Sequence, residues 1–261
     1  MGNYYAERNG LLSKKNHTLR ELRDLFVLFH NTLRKEGYLV KFYGGKDQSG
    51  TQHGGICGDN ADVFCFSKTG YKGLLPIDYD TRYKEEQIFT LIEMFYTYVN
   101  HPIPFLDEFN KEEAKDEYRN RVNEILNNYG KGWELVKEGY IRELVNNGLS
   151  PLLEQSYDDS DIRTEIDKTK QEFLKYGATL DDKKDALIRL GSIMEPLREE
   201  MKNKLSKKDT SDIFQLLNEF QLRHNNVKQK TNYDKEVYYP WMFYQMLAAL
   251  DAFLKIKERE Q

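Results

Sequence analysis

The segment LRHNNVKQKTNYD, residues 222–234, places an arginine, a histidine, amides and lysines between two apolar stretches. The Arg223 guanidinium is a permanent cation whose planar donors match phosphate oxygens, and the His224 imidazole titrates near neutral pH. Such a histidine can remove the proton of an RNA 2'-hydroxyl, while the arginine stabilises the charge that develops on the attacked phosphate. These residue types fit metal-free RNA cleavage, with Arg223 and His224 as the candidate catalytic pair. The candidate substrate-binding residues are Asn225, Asn226, Lys228, Gln229, Lys230 and Tyr233.

A structural role for the same segment stays open. Lysine and asparagine residues are common at solvated helix ends, and a histidine on an apolar helix face is usually a hydrogen-bonded core group. The helix predicted before the segment places Ile213, Leu217 and Phe220 on one face with His224, because spacings of three and four residues return to the same side of a helix. We therefore expect His224 to point towards the apolar side of that helix.

The glycine-rich stretch GGKDQSGTQHGGICGDN, residues 44–60, lacks the spacing of a phosphate-binding loop and is expected to form turns. His53, Cys57 and Cys65 could ligate zinc in principle. A structural zinc site normally needs four ligands in close pairs, so the sequence predicts no metal site and no cofactor.

Two further pairs of residues have a functional and a structural interpretation. Asp78 and Asp80 could hold a cation, but capping of the turn before the next helix is the commoner role of such aspartates. Trp133 and Trp241 could stack on nucleic-acid bases, although aromatic residues at helical spacing more often belong to the core.

The elements that must position these residues follow from the hydrophobic pattern. Helical periodicity predicts helices over residues 17–36, 84–99 and 110–128 in the first part of the chain. Short apolar runs between glycines predict small strands at Tyr38–Tyr43, Val63–Phe66 and Leu74–Ile77. A hairpin is expected between Trp133–Val136 and Tyr140–Leu144, with Gly139 in its turn.

The second part of the chain reads as helical, with helices predicted over residues 160–177, 182–205, 209–226 and 236–257. The stretch NNGLSPLLEQSYDDSD is rich in turn formers, and we place the domain boundary near residue 158. The prediction is a mainly α protein: an N-terminal α+β domain, 1–158, with small strands and a hairpin, and a C-terminal antiparallel helical bundle, 159–261. The last helix is apolar nearly all round, which is typical of a central buried helix or a dimer interface.

Composition limits the function classes. Charged residues make up 31% of the chain and hydrophobic ones 39%, with a formal net charge of -4, which is typical of a folded globular protein. The weak negative charge excludes strong binding of nucleic acid by the whole molecule, so any such affinity must come from a local basic patch. Two cysteines without a secretory leader pattern predict free thiols and a cytoplasmic location, and no apolar run is long enough to span a membrane.

The C-terminal stretches ALIRLGSIMEPLREEM, DIFQLLNEFQLRHNNVKQKTNYD and YYPWMFYQMLAALDAFLKI resemble the HEPN-type helical domain of bacterial AbiJ-like abortive-infection proteins. The N-terminal stretches TLRELRDLF, GGICGDNADVF, GLLPI and YGKGWELVKEGYI are similar to the accessory domain joined to it. The resemblance implies a helical bundle that dimerises and places its motif in a shared cleft. It also implies an RNA-cleaving effector of phage defence.

The motif of that family is an arginine with a histidine four to six positions later. Arg223 matches the arginine, but the matching histidine is missing, because Val227, Lys228 and Gln229 occupy those positions. Two interpretations stay open: His224 acts as the base from an unusual position, or the domain is a non-catalytic module that senses RNA, a nucleotide or a protein through dimerisation. The expected partners are RNA, a second copy of the chain through the C-terminal helices and a phage-derived trigger, with no membrane.

Overall fold

The computed structural model describes residues 16–47, 50–102, 109–145, 149–155, 157, 160–220 and 232–260. These residues form two units, 1–144 and 145–261. The boundary expected from the sequence, near residue 158, lies inside the second unit in this division. Leu153 and Tyr157, which precede it, are buried in the core of the second unit, 5% and 3% exposed.

The first unit is built on three amphipathic helices that were predicted from their periodicity. Helix α1 begins after Thr18, whose side chain and Glu21 form a reciprocal capping box. The helices of this unit are α1 Leu19–Lys35, α2 Val40–Tyr43, α3 Ala61–Thr69, α4 Glu85–Tyr98 and α5 Lys111–Leu126. Their buried residues, such as Leu22, Phe95 and Tyr118, form an aromatic-rich core.

Small antiparallel strand pairs join these helices. Strand β1, Gly45–Lys46, pairs with β2, Gln52–His53, and β3, His101–Pro102, pairs with β4, Phe109–Asn110. The predicted hairpin is confirmed: β5, Trp133–Leu135, pairs with β6, Ile141–Glu143, and Gly139 has the expected positive φ of 92°.

The prediction of strands at Tyr38–Tyr43, Val63–Phe66 and Leu74–Ile77 is wrong. Val63–Phe66 belongs to helix α3, because the Asn60 side chain caps the amides of Asp62 and Val63 and Gly70 ends the helix at a φ of 77°. Residues 40–43 form one short helix, α2, and residues 74–77 form no strand. A short apolar run does not distinguish a buried strand from a buried helix, which explains the error.

The named elements of the second unit are all helices in its described residues. Its helices are α6 Ser150–Glu154, α7 Ser160–Leu174, α8 Leu180–Met194, α9 Arg198–Lys204, α10 Lys207–Glu219 and α11 Lys235–Arg259. The single helix predicted over 182–205 is divided by a 3-10 turn at Glu195–Leu197, which contains Pro196. A mainly helical protein with small antiparallel sheets is therefore confirmed.

Helix α11 is the central helix of this bundle, as its composition suggested. It contacts α6, α8, α9 and α10. Its buried side is large and apolar, and the Phe243 ring stacks on Phe173 with centroids 4.1 Å apart. The buried residues of the helix are Tyr239, Met242, Phe243, Met246, Leu247, Leu250, Phe253 and Leu254. None of the helices in the described parts of the chain combines the length and apolar character needed to cross a membrane.

Candidate functional site

Most residues of the candidate site lie outside the described residues. This applies to both members of the catalytic pair, Arg223 and His224, and to Asn225, Asn226, Lys228, Gln229 and Lys230. The structure does describe the two flanks of this segment: the end of α10 with Phe220, and Tyr233 with the start of α11. Phe220 therefore ends the described chain before the segment, and Tyr233 lies just after the point at which it resumes.

The two flanking residues contact each other. The Tyr233 hydroxyl donates a hydrogen bond to the Phe220 carbonyl oxygen at 3.2 Å, and their rings meet edge to face with centroids 4.9 Å apart. Burial, followed by a hydrogen bond to Tyr239, raises the pKa of the Tyr233 phenol above its ordinary value. Tyr233, predicted as a substrate-binding residue, is therefore protonated, and its hydroxyl links the two described flanks.

Helix α10 positions the first flank. Leu217 and Phe220 are buried, 0% and 4% exposed, and Ile213 packs partly buried against the same core. The apolar stripe predicted for this helix is thus confirmed as far as Phe220. His224, the fourth member expected in this stripe, lies outside the described residues.

Helix α11 positions the second flank. The Asp234 carboxylate is its N-cap and accepts hydrogen bonds from the amides of Glu236, at 3.0 Å, and Val237, at 3.3 Å. The next residues present large side chains to the surface: Val237 is 61% exposed and Trp241 43% exposed. An apolar surface therefore begins one turn after the candidate segment.

The two tryptophans have different surroundings. Trp133 is buried in the first unit, 9% exposed, where its ring meets Phe89 edge to face. Trp241 lies at the surface of α11, next to Tyr238, which is 38% exposed. The core interpretation therefore fits Trp133, whereas Trp241 is available for contact with another molecule.

The stretch KNKLSKK, residues 202–208, is a local basic patch that could attract a phosphate backbone, but its charge is partly neutralised. Lys202 pairs with Glu199 at 2.6 Å, and Lys204 pairs with Glu260. Lys207 and Lys208 are exposed in the first turn of α10. The paired lysines contribute less positive potential than the sequence alone suggests.

The cysteines and His53 in the glycine-rich region have local partners. His53 Nε2 lies 2.9 Å from Asp47 Oδ2, and both side chains are buried. The Cys57 thiol donates to the Gly58 carbonyl oxygen, and Cys65 contacts the Thr69 hydroxyl. Both thiols are free, as expected from the sequence. Burial raises the pKa of each thiol, which favours the protonated form.

The acidic pair in IDYD belongs to a turn. Asp78 Oδ1 accepts hydrogen bonds from the amides of Asp80, at 2.9 Å, and Thr81, at 2.7 Å, which lowers the pKa of the Asp78 carboxyl. This is the capping role that the sequence favoured. Across the described residues, no group of three histidine, cysteine or acidic side chains is arranged to hold a metal ion.

Sequence reasoning missed a buried polar cluster in the first unit. His30, on the apolar face of α1, is 1% exposed, and its Nε2 lies 2.9 Å from the Tyr43 hydroxyl. The Arg34 guanidinium lies 4.5 Å from the centre of the Tyr43 ring. The position of His30 between Phe26, Phe29 and Leu33 in the helical pattern was the signal that could have found it.

Sequence reasoning also missed a buried lysine in the second unit. Lys170 is 5% exposed, and its ammonium group donates to the carbonyl oxygens of Leu153, at 3.0 Å, and Gln155, at 3.1 Å. It thereby fastens the end of α6 to helix α7. Nothing in the local sequence distinguishes this lysine from its exposed neighbour Lys168.

Comparisons of the chain with models of protein families, with curated proteins and with solved structures found no match.

Proposed function

We propose that the second unit is an RNA-cleaving module and that the protein is an effector of phage defence. The observation that supports this proposal best is the contact between Phe220 and Tyr233, which brings together the two ends of the segment with Arg223 and His224. Between these two residues the sequence has Arg223, Lys228 and Lys230 and no acidic residue. A polar, cationic segment therefore starts and finishes at one place on a helical bundle, beside exposed aromatic rings.

The proposed chemistry needs no metal ion. His224 removes the proton from a ribose 2'-hydroxyl and the oxygen attacks the neighbouring phosphorus, which forms a 2',3'-cyclic phosphate. The bond to the 5'-oxygen breaks, and this oxygen leaves with the bonding electron pair and takes a proton from water. Arg223 stabilises the negative charge on the phosphate oxygens in the transition state. Asn225, Asn226, Gln229 and the two lysines, Lys228 and Lys230, position the RNA backbone.

The proposal includes a homodimer formed through the C-terminal helices. The outward face of α11 is uncharged over four turns: Val237, Trp241, Gln245, Ala248 and Ala252 are exposed there. Protein interfaces have few charged residues at their centre, so this face suits a second copy of the chain. Its small residues, Ala248 and Ala252, would permit close approach of two helices.

The test is an RNA-cleavage assay with the full-length protein in excess EDTA. Wild-type protein should cleave RNA but not the same sequence with 2'-deoxyribose throughout. Arg223→Ala and His224→Ala should each cleave at least about 100-fold more slowly, which is the usual effect of losing a general base or a group that stabilises the transition state. Arg259→Ala, which removes an exposed arginine at the end of α11, is the matched control and should cleave like wild type.

The same variants are then compared in cells challenged with phage. Loss of protection together with loss of cleavage supports the effector role. Intact RNA with every protein, but loss of protection with Arg223→Ala, would instead favour the non-catalytic sensor. Unchanged cleavage and unchanged protection in both variants would refute the assignment of Arg223 and His224.

A further inference from the structure

Helix α3 in the first unit has large apolar side chains on its outer side. Cys65 is the residue that it buries, whereas Val63 is 62% exposed and Phe66 is 41% exposed. Spacings of three and four residues place Phe66 and Ser67 on the same side of the helix as Val63. We propose that these three residues, called the α3 face, bind an acidic segment of another protein that also carries an apolar side chain. Such binding does not require RNA cleavage by the second unit.

Polar contacts on the other side of α3 fix its orientation. The Asp62 carboxylate accepts hydrogen bonds from the amides of Gly73 and Leu74, both at 2.9 Å, and of Leu75, at 3.1 Å. A rotation of the helix that buried Val63 would break these three hydrogen bonds. The apolar side chains of the α3 face therefore stay at the surface.

The α3 face and its border are suited to apolar groups of a ligand. The Ser67 hydroxyl donates to the Phe64 carbonyl oxygen at 2.7 Å, so its proton is used within the helix. Phe64 is half-buried at the border of the face, and its ring meets the rings of Phe42 and Tyr98 with centroids 5.6 and 5.4 Å apart. This packing holds the border in place before a ligand binds, which lowers the entropic cost of binding.

A lysine lies at each border of the α3 face. The Lys72 ammonium group is 4.8 Å from the centre of the Phe66 ring, and that of Lys68 is 5.7 Å from the centre of the Phe64 ring. Phe66 and Phe64 lie on opposite sides of Val63 around the helix, so the two cations flank the apolar centre. In the part of the chain that the structure describes, neither lysine forms an ion pair. Both charges are available to carboxylates of a ligand.

Charge complementarity favours an acidic protein segment over other ligands. Carboxylates on both sides of an apolar side chain can pair with Lys68 and Lys72 while that side chain covers Val63. A nucleic-acid base needs an open ring face for stacking, but an ammonium group lies over each of the two rings. A symmetric pair of chains would bring the lysines of one α3 face against those of the other. Membrane binding normally uses a larger apolar face with more cations.

The first experiment identifies the peptide chemistry that the α3 face selects. A library of random short peptides is selected for binding to the full-length protein and, in parallel, to Phe66→Ser. The wild-type protein should enrich peptides with acidic residues on both sides of an apolar residue, and the variant should not. The most enriched peptide is then synthesised with a fluorescent label, and its dissociation constant is measured by anisotropy.

Substitutions locate the binding of this labelled peptide. Val63→Ser and Phe66→Ser should each weaken it roughly 5- to 50-fold, through the loss of a partly exposed apolar contact. Lys68→Gln and Lys72→Gln should each weaken it about 2- to 5-fold at low salt, and this effect should fade as the salt concentration rises. Leu180→Ser removes an apolar side chain that is 37% exposed in the second unit and is the matched control. Thermal unfolding should change little in all five variants, because the substituted side chains are at the surface.

Several results would overturn the proposal. These are selection of no peptide, enrichment of peptides without acidic residues, and an affinity that is unchanged in Val63→Ser and Phe66→Ser. Vesicles of phosphatidylcholine and phosphatidylserine and a single-stranded oligouridylate are tested with the same variants. Tight binding of either that is lost in Phe66→Ser would assign the α3 face to a membrane or to RNA, and self-association that is lost in this variant would assign it to a second copy. RNA cleavage enters none of these measurements, so the two proposals fail separately.

Discussion

His30 provides a quantitative test of the first unit's core. Its imidazole is buried between helices, and burial lowers the pKa of this group from 6.5 to about 4, with a smaller contribution from the Arg34 charge. The Asn31 Oδ1 atom, 3.3 Å from Nδ1, can only accept, which assigns the proton of the neutral ring to Nδ1 and leaves Nε2 to accept from the Tyr43 hydroxyl at 2.9 Å. Protonation of Nε2 would remove this acceptor and place a charge in an apolar core.

The free energy of unfolding depends on pH because the unfolded chain binds a proton at His30 that the folded chain does not bind. Above pH 6.5 the imidazole is neutral in the folded and unfolded protein, so it leaves the free energy of unfolding unchanged with pH. Between 6.5 and about 4 the unfolded chain binds a proton and the folded chain does not. The free energy of unfolding therefore falls as the pH falls, by about 3 kcal/mol at pH 4.

We expect His30→Gln to remove this dependence. The variant loses packing and a hydrogen bond, so it should be about 1–2 kcal/mol less stable than the parent at pH 7.5. At pH 4 it should equal or exceed the parent, because glutamine does not titrate. Urea unfolding is followed in a Trp241→Phe parent, where Trp133 in the first unit is the single tryptophan reporter. Tyr43→Phe keeps the buried imidazole and should keep the steep fall; parallel curves for His30→Gln and the parent would refute the reasoning.

Two further substitutions test contacts that the sequence does not reveal. A Cβ on Gly55 would lie 2.5 Å from the Tyr43 carbonyl carbon, whereas one on Gly54 would meet nothing within 4 Å. In thermal unfolding, Gly55→Ala should therefore lower the free energy of unfolding by about 1–3 kcal/mol, and Gly54→Ala by less than about 0.5 kcal/mol. Equal melting curves for the two variants would contradict the close approach of the Gly55 and Tyr43 backbones. Lys170→Met should destabilise the second unit by about 1–3 kcal/mol in urea unfolding monitored by Trp241, because it removes the buried hydrogen bonds from the ammonium group to the Leu153 and Gln155 carbonyl oxygens. Lys168→Met, at an exposed position of the same helix, is its control and should change the stability little.

The long helices could be predicted because each has a complete signal of its own. Helix α1, for example, has an apolar stripe through Leu22, Phe26 and Leu33 and a capping box at Thr18. The hairpin around Gly139 was predictable for the same reason, since the turn residue and both flanking runs are local. Local signals of this kind also identified the turn around Asp78.

Contacts between residues distant in the chain could not be predicted in the same way. The glycine-rich region was expected to form turns, but its close packing of Gly55 on Tyr43 depends on how α2 meets the β1–β2 pair. Lys170 and Leu153 are separated by seventeen positions, and their hydrogen bond exists only because α6 docks on α7. In the sequence both positions look like ordinary loop or surface residues, because the local hydrophobic pattern carries no information about the partner element.

His30 lies on an apolar helix face, and the sequence pattern predicts such a face for His224, so the two histidines can be compared as bases. His30 shows what burial does to an imidazole in this chain: with a pKa of about 4 it is neutral at physiological pH, and its lone pair is occupied by the Tyr43 hydroxyl. A base in that environment is too weak and too enclosed to take a proton from a ribose hydroxyl. The sequence pattern places His224 on the same kind of face, after Leu217 and Phe220. RNA cleavage therefore requires that His224 lie in surroundings unlike those of His30, in contact with solvent and close enough to Arg223 for both to reach one phosphate.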